Sequence, residues 1–111
     1  MIYIASPYSH KSYEIEIQRF QLVEEFTAKL LLKGKMVFSP IVHCHNISEY
    51  YKLPKEFEFW KKYCIYFLDK SDELLVYRIP GWEESRGVKE EIQYAVFKEI
   101  PVSYVDVGNF D

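Results

Sequence analysis

The chain has 111 residues, 49% of them hydrophobic, 28% charged and 18% aromatic, with a formal net charge of −3. That length supports one domain, residues 1–111, around a single core. The absence of any basic run excludes a nucleic-acid duplex or an anionic membrane as main partner, but a single nucleotide stays open. Two cysteines, Cys44 and Cys64, make no disulfide framework. No apolar segment is long enough to span a bilayer, and a strand starting at Ile2 leaves no room for a signal peptide. A cytoplasmic protein with reduced thiols is expected. Ten Tyr, eight Phe and two Trp exceed what one small core holds, so some should line a pocket or a subunit contact.

Residues 2–5, IYIA, predict a first strand, followed by the polar turn Ser6–His10. A strand, a polar turn and a long helix gather ligands at the carboxyl edge of a sheet. A plain turn with Ser9 capping the helix fits equally, because the glycine fingerprint of a dinucleotide site is missing. Residues 11–33 read as a helix: at about 100° per residue, Ile15, Leu22, Val23, Phe26 and Leu30 form one stripe. Tyr13, Ile17, Phe20 and Leu31 form a second, read as a subunit contact, the alternative being another helix of the same chain. Gly34 fits a left-handed helix stop. Residues 36–38 predict a second strand, ended by Ser39 and Pro40.

His43, Cys44 and His45 invite a zinc reading. Read as extended chain, the two histidines point to opposite faces, and no second cluster completes a ligand set. No metal is expected; one histidine should face a pocket and the other pack or meet solvent. Residues 55–70 predict a helix with Phe57, Trp60, Cys64 and Phe67/Leu68 on one face. Residues 73–77 predict a buried strand, and residues 102–105 a last one, with a polar, loose tail from Asp106. Strands alternating with helices define α/β architecture, an open parallel sheet of four to five strands with helices on both faces.

Chemistry concentrates in residues 81–95, GWEESRGVKEEIQYA. On a helix, Val88, Ile92 and Ala95 share a stripe, with Glu91 beside it and Glu90 pointing away. A carboxylate on a core-facing side loses water and is held with a raised pKa. It is either a structural acid that snorkels out or finds a buried partner, or a functional one. In a parallel sheet the segments 6–9, 39–45, 77–85 and the region after Val105 all arrive at the ligand-binding edge. Ser85 stands at a helix start, where free N–H groups favour an anion or where it simply caps, and Gly87 permits close backbone approach. Glu91 lies six residues on, about 9 Å along the axis and comparable to a sugar phosphate. Asp72 precedes its strand, which puts it at the far edge, as a helix cap.

Three motifs, YIASPYS from Tyr3, FSPIVHCH from Phe38 and PGWEESRGVKEEIQYA from Pro80, cover nearly the whole chain. Together they resemble the nucleoside 2-deoxyribosyltransferase-like superfamily, in particular a branch of small phage and bacterial proteins. The last motif is the specific one. The resemblance implies a flavodoxin-like fold, a homodimer or higher oligomer, no cofactor, and a nucleotide or nucleoside as partner. It makes Glu91 the nucleophile that attacks the anomeric carbon and expels the base, with Tyr3 orienting it. Ser85 stands where transferases tend to have Asp and monophosphate hydrolases Ser, which favours a nucleoside 5′-monophosphate and hydrolysis. Ser85 with Ser6 or Ser9 would bind phosphate or the 5′-hydroxyl; Gly81 and Gly87 belong to the same substrate site. Tyr8, His43, Trp82 or Phe59 would contact the base, with His45 a further candidate, and Asp72 corresponds to an acidic residue used elsewhere in the superfamily. The phosphate-binding arginine of the hydrolases, in the loop after the first strand, has no counterpart in SPYSHKS, so Arg86, Lys11 or a neighbouring subunit would replace it. The expected activity is an N-glycosidase on a (deoxy)nucleoside 5′-monophosphate. A nucleotide-binding protein without turnover and a deoxyribosyltransferase are the alternatives.

Overall fold

A computed structural model describes residues 1–108. The elements in chain order are β1 (Ile2–Ala5), α1 (Tyr13–Leu32), β2 (Val37–Phe38), α2 (Pro40–Tyr51), α3 (Phe57–Asp69), β3 (Glu73–Arg78), a 3-10 turn (Trp82–Glu84), α4 (Arg86–Phe97) and β4 (Val102–Asp106). The four strands form one parallel sheet in the order β2-β1-β3-β4, a flavodoxin-like open sheet. Period-two alternation divides the core between the two faces. Tyr3, Ala5, Leu74 and Val76 pack with Cys64, Leu68, Val88 and Ala95 of α3 and α4. Ile4, Leu75 and Tyr77 pack on the other face with Val23 and Phe26 of α1. The chain leaves β1 toward β2 and returns across it to β3, so the strand order reverses between β1 and β3, where a crevice opens at their carboxyl ends.

Helix α1 buries Val23 and Phe26 of its expected stripe, half-buries Ile15, Leu22 and Leu30, and ends as expected. Gly34 has φ +81°, its N–H donates to Leu31 O at 2.9 Å and the Lys35 N–H to Leu30 O at 3.1 Å, the two bonds of a Schellman stop. The second face of α1 is a correction. Phe20 stacks on His45 at 4.0 Å between ring centres, and the Tyr13 hydroxyl donates to Glu49 at 3.4 Å, so α2 of the same chain covers part of what was read as a subunit contact. Leu31 remains exposed.

Helix α2 is itself the larger correction, since its first half reads from sequence as extended chain. Ser39 and Pro40 do not merely stop β2. The Ser39 hydroxyl accepts from the Val42 N–H at 3.2 Å as an N-cap, and Pro40 occupies the first helical position, where a missing N–H is no loss. Asp106 is held by Arg78 through two bonds, 2.7 and 3.1 Å; the remaining tail, residues 109–111, lies outside the described residues. Among the described residues, no helix is long and apolar enough to cross a membrane.

Candidate active site

A cavity of about 820 Å³ occupies the crevice, within the size range of small-molecule sites. Its wall is drawn from the β1–α1 loop (Ser6, Tyr8, Ser9), from α1 and α2, from the inner face of α3, from Gly81, and from the start of α4. Glu91 lines it too, although only 4% of that residue is exposed.

Glu91 lies on the inward stripe of α4 between Val88 and Ala95, so the packing that buries them draws its carboxyl into the interior. Burial pushes its pKa up to about 8, against the opposing effect of the Tyr3 hydroxyl, which donates to Glu91 Oε2. Tyr3 is fully buried on β1 and its pKa is raised well above the ordinary phenol value, first by burial and then by Glu91, so it stays a donor. Tyr3 therefore bonds Glu91 from below rather than lining the cavity.

Ser85 is the N-cap of α4, accepting from the Val88 N–H at 3.2 Å, and lines the cavity with Arg86 and Gly87. A Cβ added at Gly87 would meet the Phe57 ring at 3.0 Å, so that ring would have to shift by a few tenths of an ångström. Gly81 adopts φ +97° beside Arg19. The Tyr8 hydroxyl and His45 Nδ1 are 2.6 Å apart. Burial raises the phenol pKa and lowers that of the imidazole, so a protonated phenol meets a neutral ring.

Besides Tyr3, the sequence-predicted residues Lys11, His43, Phe59, Trp82 and Asp72 do not reach the cavity wall. His43 is exposed and stacks on Tyr63 at 6.0 Å; on a helix, as on a strand, residues two apart face different sides, and His45 is the inward one. Phe59 is 52% exposed, whereas Phe57 and Trp60, in phase with Cys64, line the cavity. Trp82 packs beside Arg78 and Tyr104. Asp72 is at the opposite edge of the sheet, bound to the amino group of Met1, as strand direction requires.

Sequence reading missed Arg19, Lys55 and the two cysteines as wall residues. Burial keeps both thiols protonated, at about 11 for Cys44 and about 12 for Cys64. Lys55 bridges Glu49 and Glu16, the latter at 3.4 Å, which ties the α2–α3 loop to α1. Arg19 had a signal: at about 100° per residue it falls inside the apolar stripe of α1, between Phe26 and Leu30. Among the described residues, no three His, Cys, Asp or Glu side chains converge to hold a metal ion.

Fold and cavity together define a small parallel α/β protein with a crevice at the sheet's switch point and a buried acid in its wall. Residues 1–107 match the family model described as a domain of unknown function (DUF1937), and the chain belongs to that family. No curated protein matches it.

Proposed function

We propose that the protein is an N-glycosidase that cleaves the base–sugar bond of a (deoxy)nucleoside 5′-monophosphate, with Glu91 as nucleophile. The observation that carries this reading is a single one: a buried carboxyl, bonded by a buried tyrosine, that opens onto a cavity large enough for a nucleotide. Attack by one Glu91 oxygen on the anomeric carbon forms a glycosyl ester as the bond to the base breaks and its electron pair leaves with the base. Water then cleaves the ester and returns the carboxyl group. Tyr3 holds the second oxygen, which leaves the first free to attack. The aromatic side chains Tyr8, Phe57 and Trp60 offer faces to the base.

The test is a panel of nucleoside 5′-monophosphates incubated with the protein, followed by chromatography for free base. Release by wild type and its loss in Glu91→Ala is the expected result. Binding of a monophosphate by wild type with no base released would replace this reading with that of a binding protein. A new nucleoside formed on adding a second free base would make it a transferase. One observation favours the binding alternative: with a pKa of about 8, Glu91 is mostly protonated at neutral pH, and only its ionised form is a nucleophile.

A further inference from the structure

Two buried polar atoms in the cavity wall have no hydrogen-bond partner, Ser6 Oγ and Arg19 Nε. Ser6 is 7% exposed and follows directly on β1. Arg19 enters the wall of the same cavity from α1. Its Nη1 donates to the carbonyls of Tyr8 and Ser9, at 3.3 and 2.9 Å. Its Nη2 lies against Gly81, where an added Cβ would come within 2.2 Å of it. The guanidinium thus sits between the loops that follow β1 and β3, at the point where the strand order reverses.

The charge balance around it is unusual. The other two Arg or Lys side chains of the wall are neutralised: Lys55 by Glu16 and Glu49, and Arg86 by Glu58 at 2.7 Å and Glu90 at 2.6 Å. Among the described residues, none of the ion pairs includes Arg19. Glu16 is engaged by Lys55 and by the His10 N–H at 3.1 Å. Glu84 is exposed at the mouth of the cavity. Burial accordingly lowers the pKa of Arg19, with Glu16 and Glu84 acting the other way at a distance. A partly buried cation whose Nε–H is unused, sharing one cavity wall with a buried hydroxyl that is unused, is a site short of one anion.

We propose that Ser6 and Arg19 form an anion subsite that receives a phosphoryl group of the ligand. A guanidinium edge, a serine hydroxyl and the α4 N-terminus, all in one cavity wall, offer donors from several directions, which suits a tetrahedral oxyanion better than a planar carboxylate. This subsite supplies the cation that the loop after β1 lacks. It rests on the cavity being the ligand site, as in the proposed function, but not on any bond being cleaved there.

The experiment is a ³¹P NMR titration of inorganic phosphate and of ribose 5-phosphate, with ribose and acetate as competitors. Ribose 5-phosphate is expected to bind at least about tenfold more tightly than ribose, with acetate a poor competitor, because the charge-assisted bonds are made only to the phosphoryl group. Arg19→Gln should weaken phosphate binding roughly 10- to 100-fold, and Arg19→Lys should fall between, since it keeps the charge and loses the fork. Glu84→Gln, at an exposed position, should tighten binding severalfold by removing the nearby negative charge. Unchanged affinity in Arg19→Gln, or acetate competing as well as phosphate, overturns the proposal. If Arg19→Gln does not fold, Arg19→Lys and Glu84→Gln decide it, and wild-type affinity in both is the refuting result. The two readings separate cleanly. Phosphate binding that depends on Arg19 without base release removes the glycosidase alone; base release with phosphate binding indifferent to Arg19 removes the subsite alone.

Discussion

At the scale of single residues, two charged side chains lie where helix periodicity calls for apolar ones, and both end in the cavity wall: Glu91 on α4 and Arg19 on α1. For Glu91 the sequence held a second clue in the motif around it, so its place was legible. Arg19 had no motif, and an arginine on a long amphipathic helix reads as snorkelling to solvent until a neighbouring loop is known to cover it. The Tyr3–Glu91 bond was legible only through the family resemblance, because nothing in the spacing of residues 88 positions apart predicts contact. Their pairing makes a kinetic prediction. If Glu91 is the nucleophile, its ionised fraction governs the rate, and kcat/KM for base release should rise with pH and level off above about 8. Tyr3→Phe removes the hydrogen bond that favours the ionised form, so this rise should shift to higher pH and the rate at pH 7 should fall about tenfold or more. A pH–rate profile of both proteins checks it; identical profiles would mean that Tyr3 does not set the state of Glu91.

At the scale of elements, the strands and three of the four helices were legible from periodicity, with bounds within two or three residues. Helix α2 was not, because a serine and proline after a strand signal a turn as readily as a helix start. The distinguishing fact is tertiary: α2 packs on α1 through Phe20 and His45. The error changed the site, since it hid which histidine faces inward. Phe57 and Trp60, by contrast, were in plain view as the inward stripe of α3, and assigning Phe59 instead ignored the phase of that same stripe. The cap of α2 is the handle for testing its role. Ser39→Ala leaves the Val42 N–H without its partner, and should lower stability by about 1 kcal/mol in urea denaturation. Because α2 presents His45 to the cavity, ligand affinity should fall along with it, while Ser39→Asp, which can also cap, should restore both. Loss of stability with ligand affinity unchanged would show that α2 does not shape the site.

At the scale of the whole molecule, burying an acid at the sheet's switch point links stability to pH with an unusual sign. Most carboxylates have depressed pKa values in the folded state and stabilise it as pH rises; Glu91 is raised, from an ordinary value near 4.5 to about 8. Between those values the folded chain keeps a proton that the unfolded chain has lost, so the stability tied to this group is present at pH 4.5 and is lost progressively toward pH 8. Glu91→Gln keeps the shape, stays neutral at every pH, and removes this dependence. The variant and wild type should therefore have similar stability near pH 5. By pH 8 the variant should be more stable, by an amount on the order of 3 kcal/mol, when urea unfolding is followed across the range. On the proposed reaction the same substitution should also abolish base release, so a gain in stability would accompany loss of the nucleophile. Parallel stability curves for the two proteins between pH 5 and 8 would contradict this, and would place Glu91 in the folded state as an ordinary ionised carboxylate.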